Sequence, residues 1–202
     1  MIAIVDYHVG NLGSVTNACK RQGMDVVVTN DPEVIRQADG IILPGVGAFP
    51  AAMSNLEACH LVPVLNEVKD KGTPILGICI GMQLLFEEGS ENGHTKGLGF
   101  LKGSVDKMEV DAKLPHMGWN QLVIKQSHPL LKYVEEGDYV YFVHSYSAHC
   151  PEDEIGAYVN YGCKKITAFV YKDNVMGTQF HPEKSGEIGK KILRAFKELV
   201  TC

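Results

Sequence analysis

The chain reads as an α/β protein: a doubly wound, mostly parallel sheet with antiparallel strands added in the C-terminal half. Three observations carry that expectation. Up to residue 78, short apolar runs alternate with helical segments, the pattern of parallel βαβ units. Beyond residue 105 the chain reads as six strands with few helices between them, which suggests antiparallel pairing. Finally, 202 residues with 45% hydrophobic and 21% charged side chains suit one ordinary domain, 1–202, able to bury roughly 70% of its unfolded surface.

The elements follow in order. Ile2–Val5 is a strand rather than an export signal, because no basic stretch precedes it and Asp6 ends the apolar run early. Residues 14–22 form a helix closed by Gly23, and Val26–Thr29 is the next strand. Asp31-Pro32 opens a helix with proline at its first position. Gly40–Leu43 is a strand, followed by helices near 48–56 and 61–71. An apolar strand at 74–78 runs into a helix at 80–86. The later strands are 105–110, 119–124, 139–143, 156–159, 167–171 and 175–180, with a hairpin turn at Lys172-Asp-Asn174. Residues 187–200 close the chain as an amphipathic helix. There is no internal repeat, linker or low-complexity tract.

Composition excludes several classes. The net charge is −5 and no basic block is present, which disfavours nucleic acid. No apolar run approaches the roughly 18 residues of a membrane span. The six cysteines contain no C-x-x-C pair, and neither they nor the eight histidines show metal-ligand spacing. We therefore expect no metal, no cofactor, and reduced thiols in a cytoplasmic protein. Cys19, Cys59, Cys150, Cys163 and Cys202 are expected to be structural or at the surface. The glycine-containing segment 6–13 matches neither G-x-G-x-x-G nor the P-loop, so no nucleotide site is expected there; the glycines of 44–49 could let backbone N–H groups approach a bound oxygen, or simply form a tight turn.

The chemistry concentrates at Gly77-Ile-Cys-Ile-Gly81. A cysteine where a strand turns sharply into a helix, with glycine two residues to either side, has the pattern of a nucleophile elbow with sulfur in place of hydroxyl. The helix N-terminus favours an anion, which matters because a free thiol is only about 3% thiolate at pH 7. The N–H of Ile80 is placed to donate to an oxyanion. The same residues also fit a buried structural cysteine in a β–α unit. His181 and Glu183, at the end of the last strand, project to one side and can touch. The glutamate would orient the imidazole and stabilise its charged form, making Cys79, His181 and Glu183 a candidate triad. The order Cys, His, Glu disfavours an α/β-hydrolase, where the acid precedes the histidine.

Pro44-Gly-Val-Gly47, Gly77-Ile-Cys-Ile-Gly-Met-Gln83 and Gln179-Phe-His-Pro-Glu183 together resemble the three main motifs of class I (triad) glutamine amidotransferases, in order and rough spacing, over nearly the whole chain. Four further segments are similar to the glutaminase subunits of imidazole glycerol phosphate synthase: Asp6-Tyr-x-x-Gly-Asn-Leu12, Pro115-His-Met-Gly-Trp-Asn120, Tyr141-Phe-Val-His-Ser-Tyr146 and His181-Pro-Glu-Lys-Ser185. The resemblance implies a flavodoxin-like fold in which Cys79 attacks the amide of glutamine. It implies Ile80 and Val46 N–H groups as oxyanion donors, after a flip of the Gly45-Val46 peptide. Gly47, Gln83, His144, Ser145 and Tyr146 would hold the substrate. Asn11, Trp119, Tyr141 and Lys184 would face a (β/α)8-barrel cyclase in a heterodimer, which receives the ammonia for histidine biosynthesis. Rival readings are a glutaminase subunit serving pyridoxal phosphate, anthranilate or purine synthesis, a Cys-elbow peptidase or deglycase of similar fold, and a non-catalytic subunit that merely binds a partner, against which the intact candidate triad speaks.

Overall fold

The structure is a computed structural model that describes residues 1–201; Cys202 lies outside the described residues. The first half follows the expected alternation: β1 (Ile2–Val5), α1 (Leu12–Arg21), β2 (Val26–Thr29), α2 (Pro32–Gln37), β3 (Gly40–Leu43), α3 (Phe49–Ala58), α4 (Leu61–Asp70) and β4 (Ile75–Ile78). Local signals account for the punctuation. The Asp31 carboxylate accepts the Glu33 N–H at 2.9 Å, an N-cap with Pro32 at the first helical position. Gly23 sits at φ +66° just past α1, where a Cβ is penalised.

The second half comprises α5 (Ile80–Gln83), β5 (Phe86–Gly89), β6 (Thr95–Lys96), β7 (Leu101–Lys107), β8 (His116–Gln121), β9 (Val123–Ile124), β10 (Tyr139–His144), β11 (Tyr146–His149), β12 (Ile155–Tyr161), β13 (Lys164–Lys172), β14 (Val175–Thr178) and α6 (Gly186–Val200). The main sheet has the order β2-β1-β3-β4-β14-β13-β12-β9. Its first five strands are parallel, and β13, β12 and β9 are antiparallel. Right-handed crossovers put α1 on one face and α2–α4 on the other, because the chain reverses direction after β2. In keeping with this, α1 packs with α6, and α2 and α3 both pack with α4.

Four expectations need correction. The helix expected at 80–86 ends at Gln83. The Leu84, Leu85 and Phe86 carbonyls accept N–H groups of Leu98, Phe100, Leu101 and Gly99, and these long-range bonds draw the chain into β5. The strand at 175–180 is not an antiparallel addition: it pairs parallel with β4 and antiparallel with β13. The run 119–124 is two strands, because Leu122 is buried between β8 and β9 and the chain changes sheet there. The strands at 105–110 and 139–143 leave the main sheet altogether. β7 joins a four-stranded sheet, β11-β7-β5-β6, and β10 pairs only with β8. The hairpin at Lys172-Asp-Asn174 is present, with Lys172 opposite Val175 and Asp173 at φ +50°.

Candidate active site

Three neighbouring strands assemble the site. Leu43 and Gly177 both stand opposite Gly77, and Thr178 stands opposite Ile78. The loops after β3, β4 and β14 therefore leave the sheet side by side at its carboxyl edge, where such sheets bind ligands. The Cys79 N–H donates to the Thr178 carbonyl at 2.8 Å, tying the elbow to the strand that delivers His181.

Cys79 sits at φ +54°, ψ −110°, outside the regions a cysteine prefers. Close packing imposes this turn. A Cβ on Gly81 would lie 1.7 Å from the Leu43 carbonyl oxygen, and one on Gly77 would lie 2.6 Å from the Gly81 carbonyl oxygen. Gly45 is pressed against the same turn, since its Cβ would meet Ile80 at 2.9 Å. The Tyr7 hydroxyl donates to the Pro44 carbonyl from below.

His181 and the Glu183 side chain are both buried, with His181 Nδ1 and Glu183 Oε1 2.8 Å apart. His181 Nε2 makes no hydrogen bond among the described residues. Burial works against a charged imidazole. The adjoining Cys79 and Glu183 side chains outweigh it and raise the pKa to about 9. The proton thus rests on His181 at neutral pH.

These groups open on a cavity of about 310 Å³ lined by Val46, Gly47, Cys79, Ile80, Gln83, Glu91, Pro115, Val143, His144, Ser145, Tyr146 and His181. All five residues expected to hold substrate are in this lining, as are Ile80 and Val46. Ile80 begins α5, so its N–H has no acceptor within that helix. Gln83 is buried; its Nε2 donates to the Tyr146 carbonyl at 3.2 Å and to Gln179 Oε1 at 3.0 Å, while its Oε1 has no partner. A larger cavity, about 610 Å³, lies between β7, β11, β12 and β13, and no triad residue lines it.

Two residues of this site escaped the sequence reading. Gln179 places its Nε2 3.8 Å from Cys79 Sγ; its place at the head of the His181 motif was the available signal. Glu91 reaches the cavity from the loop after β5 and accepts the Phe49 N–H at 2.8 Å, and nothing local in the sequence marks it.

The expected interface residues lie on another face. In the β8–β10 ribbon, Tyr141 stands opposite Trp119, and the two rings meet edge to face at 6.0 Å. Trp119 is 55%, Met117 61% and Tyr139 51% exposed, an apolar surface on a single ribbon. Lys184 is exposed in a short 3-10 turn, Pro182–Lys184. Asn11 is half-buried at the start of α1, which packs against that turn. Among the described residues no cluster of His, Cys, Asp and Glu could hold a metal, and no helix is long and apolar enough to cross a membrane.

Residues 3–199 match the family described as glutamine amidotransferase class-I. The chain is 55% identical over 197 residues to imidazole glycerol phosphate synthase subunit HisH of Lactococcus lactis subsp. lactis (strain IL1403), covering 98% of each chain. It is 52% identical over 200 residues to the subunit of the same name from Bacillus cereus (strain G9842), covering 99% of this chain and 95% of that one. The fold is similar to a solved structure of PurLQS from Thermotoga maritima, with a TM-score of 0.74 at 20% identity over 98% of this chain and 97% of that one.

Proposed function

The chain belongs to the class-I glutamine amidotransferase family, and on that footing we propose that it is the glutaminase subunit of an imidazole glycerol phosphate synthase. The observation that carries the chemistry is the cysteine held in a strained elbow beside a buried His181–Glu183 pair. Cys79 Sγ attacks the amide carbon of glutamine, and the carbonyl oxygen takes up the charge. The Ile80 and Val46 N–H groups stabilise that oxyanion, each such donor being worth roughly 3–4 kcal/mol. The His181 imidazolium gives its proton to the departing nitrogen, so ammonia leaves and a glutamyl thioester remains. Water then attacks the thioester, His181 accepts its proton, and glutamate and the thiolate are released. Gln83, Gly47, His144, Ser145 and Tyr146 position the substrate, and Glu91 supplies a carboxylate at the cavity for its amino group.

The ammonia passes to a (β/α)8-barrel cyclase docked on the apolar face of the β8–β10 ribbon, in a cytoplasmic heterodimer. Relatives at 52–55% identity bearing the synthase-subunit name support this reading over other glutaminases. In the complex with its cyclase, Cys79→Ala is expected to abolish glutamine-dependent synthesis and to leave synthesis from ammonium salts intact. Loss of both activities would refute the division of labour.

A further inference from the structure

The inward face of the β8–β10 ribbon carries two histidines: His144, which lines the glutamine cavity, and His116, which does not. His116 and His144 are buried and paired opposite one another. His144 Nδ1 lies 2.8 Å from the Tyr146 carbonyl, which only accepts, so Nδ1 carries the proton. His144 Nε2 is then the acceptor for His116 Nδ1–H at 3.0 Å. That leaves His116 Nε2 as acceptor for Asn120 Nδ2 at 3.3 Å. The Asn120 amide is oriented from outside: its Nδ2 also donates to the Asn160 carbonyl at 3.0 Å, and its oxygen accepts the Gln121 N–H at 2.8 Å. Burial holds both rings neutral, with His116 lowered to about 4 and His144 to about 3, as this order of protons requires.

The chain of bonds continues to the nucleophile. The Tyr146 carbonyl also accepts Gln83 Nε2, Gln83 Nε2 bonds Gln179 Oε1, and Gln179 Nε2 reaches Cys79 Sγ at 3.8 Å. His116 is held in place by stacking between Phe142 and Tyr161, at centroid distances of 4.7 and 3.9 Å. Its neighbours along the strand, Met117 and Trp119, lie on the exposed side of the same ribbon.

We propose that His116 is a positioning residue of the glutamine site: its Nδ1–H orders the His144–Tyr146–Gln83–Gln179 chain and so ties the docking ribbon to Cys79. This rests on the glutaminase reading above. A displaced ribbon carries both histidines with it and so changes the His144–Tyr146 bond, and with it the carbonyl on which Gln83 is hung. Gln83 Oε1 has no partner among the described residues, and Gln83 belongs to the cavity lining, so the effect falls on glutamine rather than on the cyclase reaction.

The test uses the complex with its cyclase. His116→Phe keeps the stacking and removes both hydrogen bonds; His116→Asn keeps an N–H near the Nδ1 position. For His116→Phe the KM for glutamine is expected to rise about tenfold and kcat/KM to fall tenfold to a hundredfold, the scale of a misplaced site. Ammonia-dependent synthesis and affinity for the cyclase should stay within about twofold, since neither uses the relay. His116→Asn should recover most of the loss. Wild-type kinetics in His116→Phe overturn the proposal. So does equal impairment of the two variants, or loss of the ammonia reaction or of complex formation along with glutamine hydrolysis. A wild-type complex that releases no glutamate overturns the glutaminase reading itself and the proposal with it.

Discussion

A backbone at φ +54° costs a cysteine of order 1–3 kcal/mol, so Cys79 keeps it only because its neighbours leave no alternative. The charge beside it is equally dependent on context. His181 is raised to about 9 against the effect of burial, by Cys79 and Glu183. Cys79→Ser removes the sulfur that helps to raise it, so the His181 imidazole should titrate at lower pH, as followed by NMR; an unchanged titration would show that Glu183 alone holds the proton. Linkage then sets opposite signs for different histidines. His181, raised from 6.5, contributes stability that is full below pH 6.5 and lost as pH rises towards 9. His116, His128 and His144 are lowered by burial from 6.5 to about 4, 4 and 3. In the unfolded chain they bind protons below pH 6.5 that the native rings refuse. Urea midpoints should therefore fall as pH drops from 6.5 towards 4, and a flat profile there would contradict neutral buried rings. The sequence marked Cys79, His181 and Glu183 as chemistry through their local patterns. Gln179 and Glu91 act through contacts made across more than 40 residues, which no local pattern encodes.

Among the elements, the strands and helices up to β4 were legible because each carries its own punctuation: the Asp31 cap, Gly23 after α1, apolar runs bounded by turns. The segment 80–86 was misread because its helix and strand readings share the same buried apolar residues, and only carbonyl capture by residues 98–101 separates them. Two substitutions contrast a local with a convergent role. Asp31→Ala should cost about 1 kcal/mol, the usual worth of an N-cap, and leave glutamine turnover unchanged. Gly81→Ala places a methyl 1.7 Å from the Leu43 carbonyl oxygen, where β3 and β4 deliver two of the three site loops. It should cost about 2–3 kcal/mol, in the range of overpacked sites, and cut glutamine hydrolysis more than a hundredfold. Denaturant unfolding and ammonia release would measure both; turnover retained in Gly81→Ala would mean the elbow tolerates another path.

For the whole molecule, the geometry separates a rigid site from an adjustable loop. Gly45 is wedged against Ile80 and Tyr7, whereas Gly47 stands at φ +103° with nothing near its missing Cβ, and Val46 is 39% exposed. We infer that the oxyanion donor on this loop is completed only in the complex. The isolated chain should therefore hydrolyse glutamine at least tenfold more slowly than its complex with the cyclase. Equal rates would sink the idea. Trp119→Ala, which strips the centre of the exposed ribbon face, should weaken binding of the cyclase tenfold or more by calorimetry, about 1.4 kcal/mol, without lowering the melting temperature of the chain alone.

By itself the sequence determined the parallel half of the sheet, the elbow, the candidate triad and the family, because these depend on residues close together in the chain or on motifs whose spacing repeats within the family. Only the tertiary structure decided how the second half divides among three sheets, where Gln179 and Glu91 point, and that the two faces of one ribbon connect an apolar surface to Cys79. The physical reason is that a strand's partner, and the hydrogen bonds of a buried side chain, are settled by groups distant in sequence. At Cys79 the two levels meet: the glycines beside it are local, but the carbonyl that makes Gly81 necessary belongs to Leu43, on the neighbouring strand.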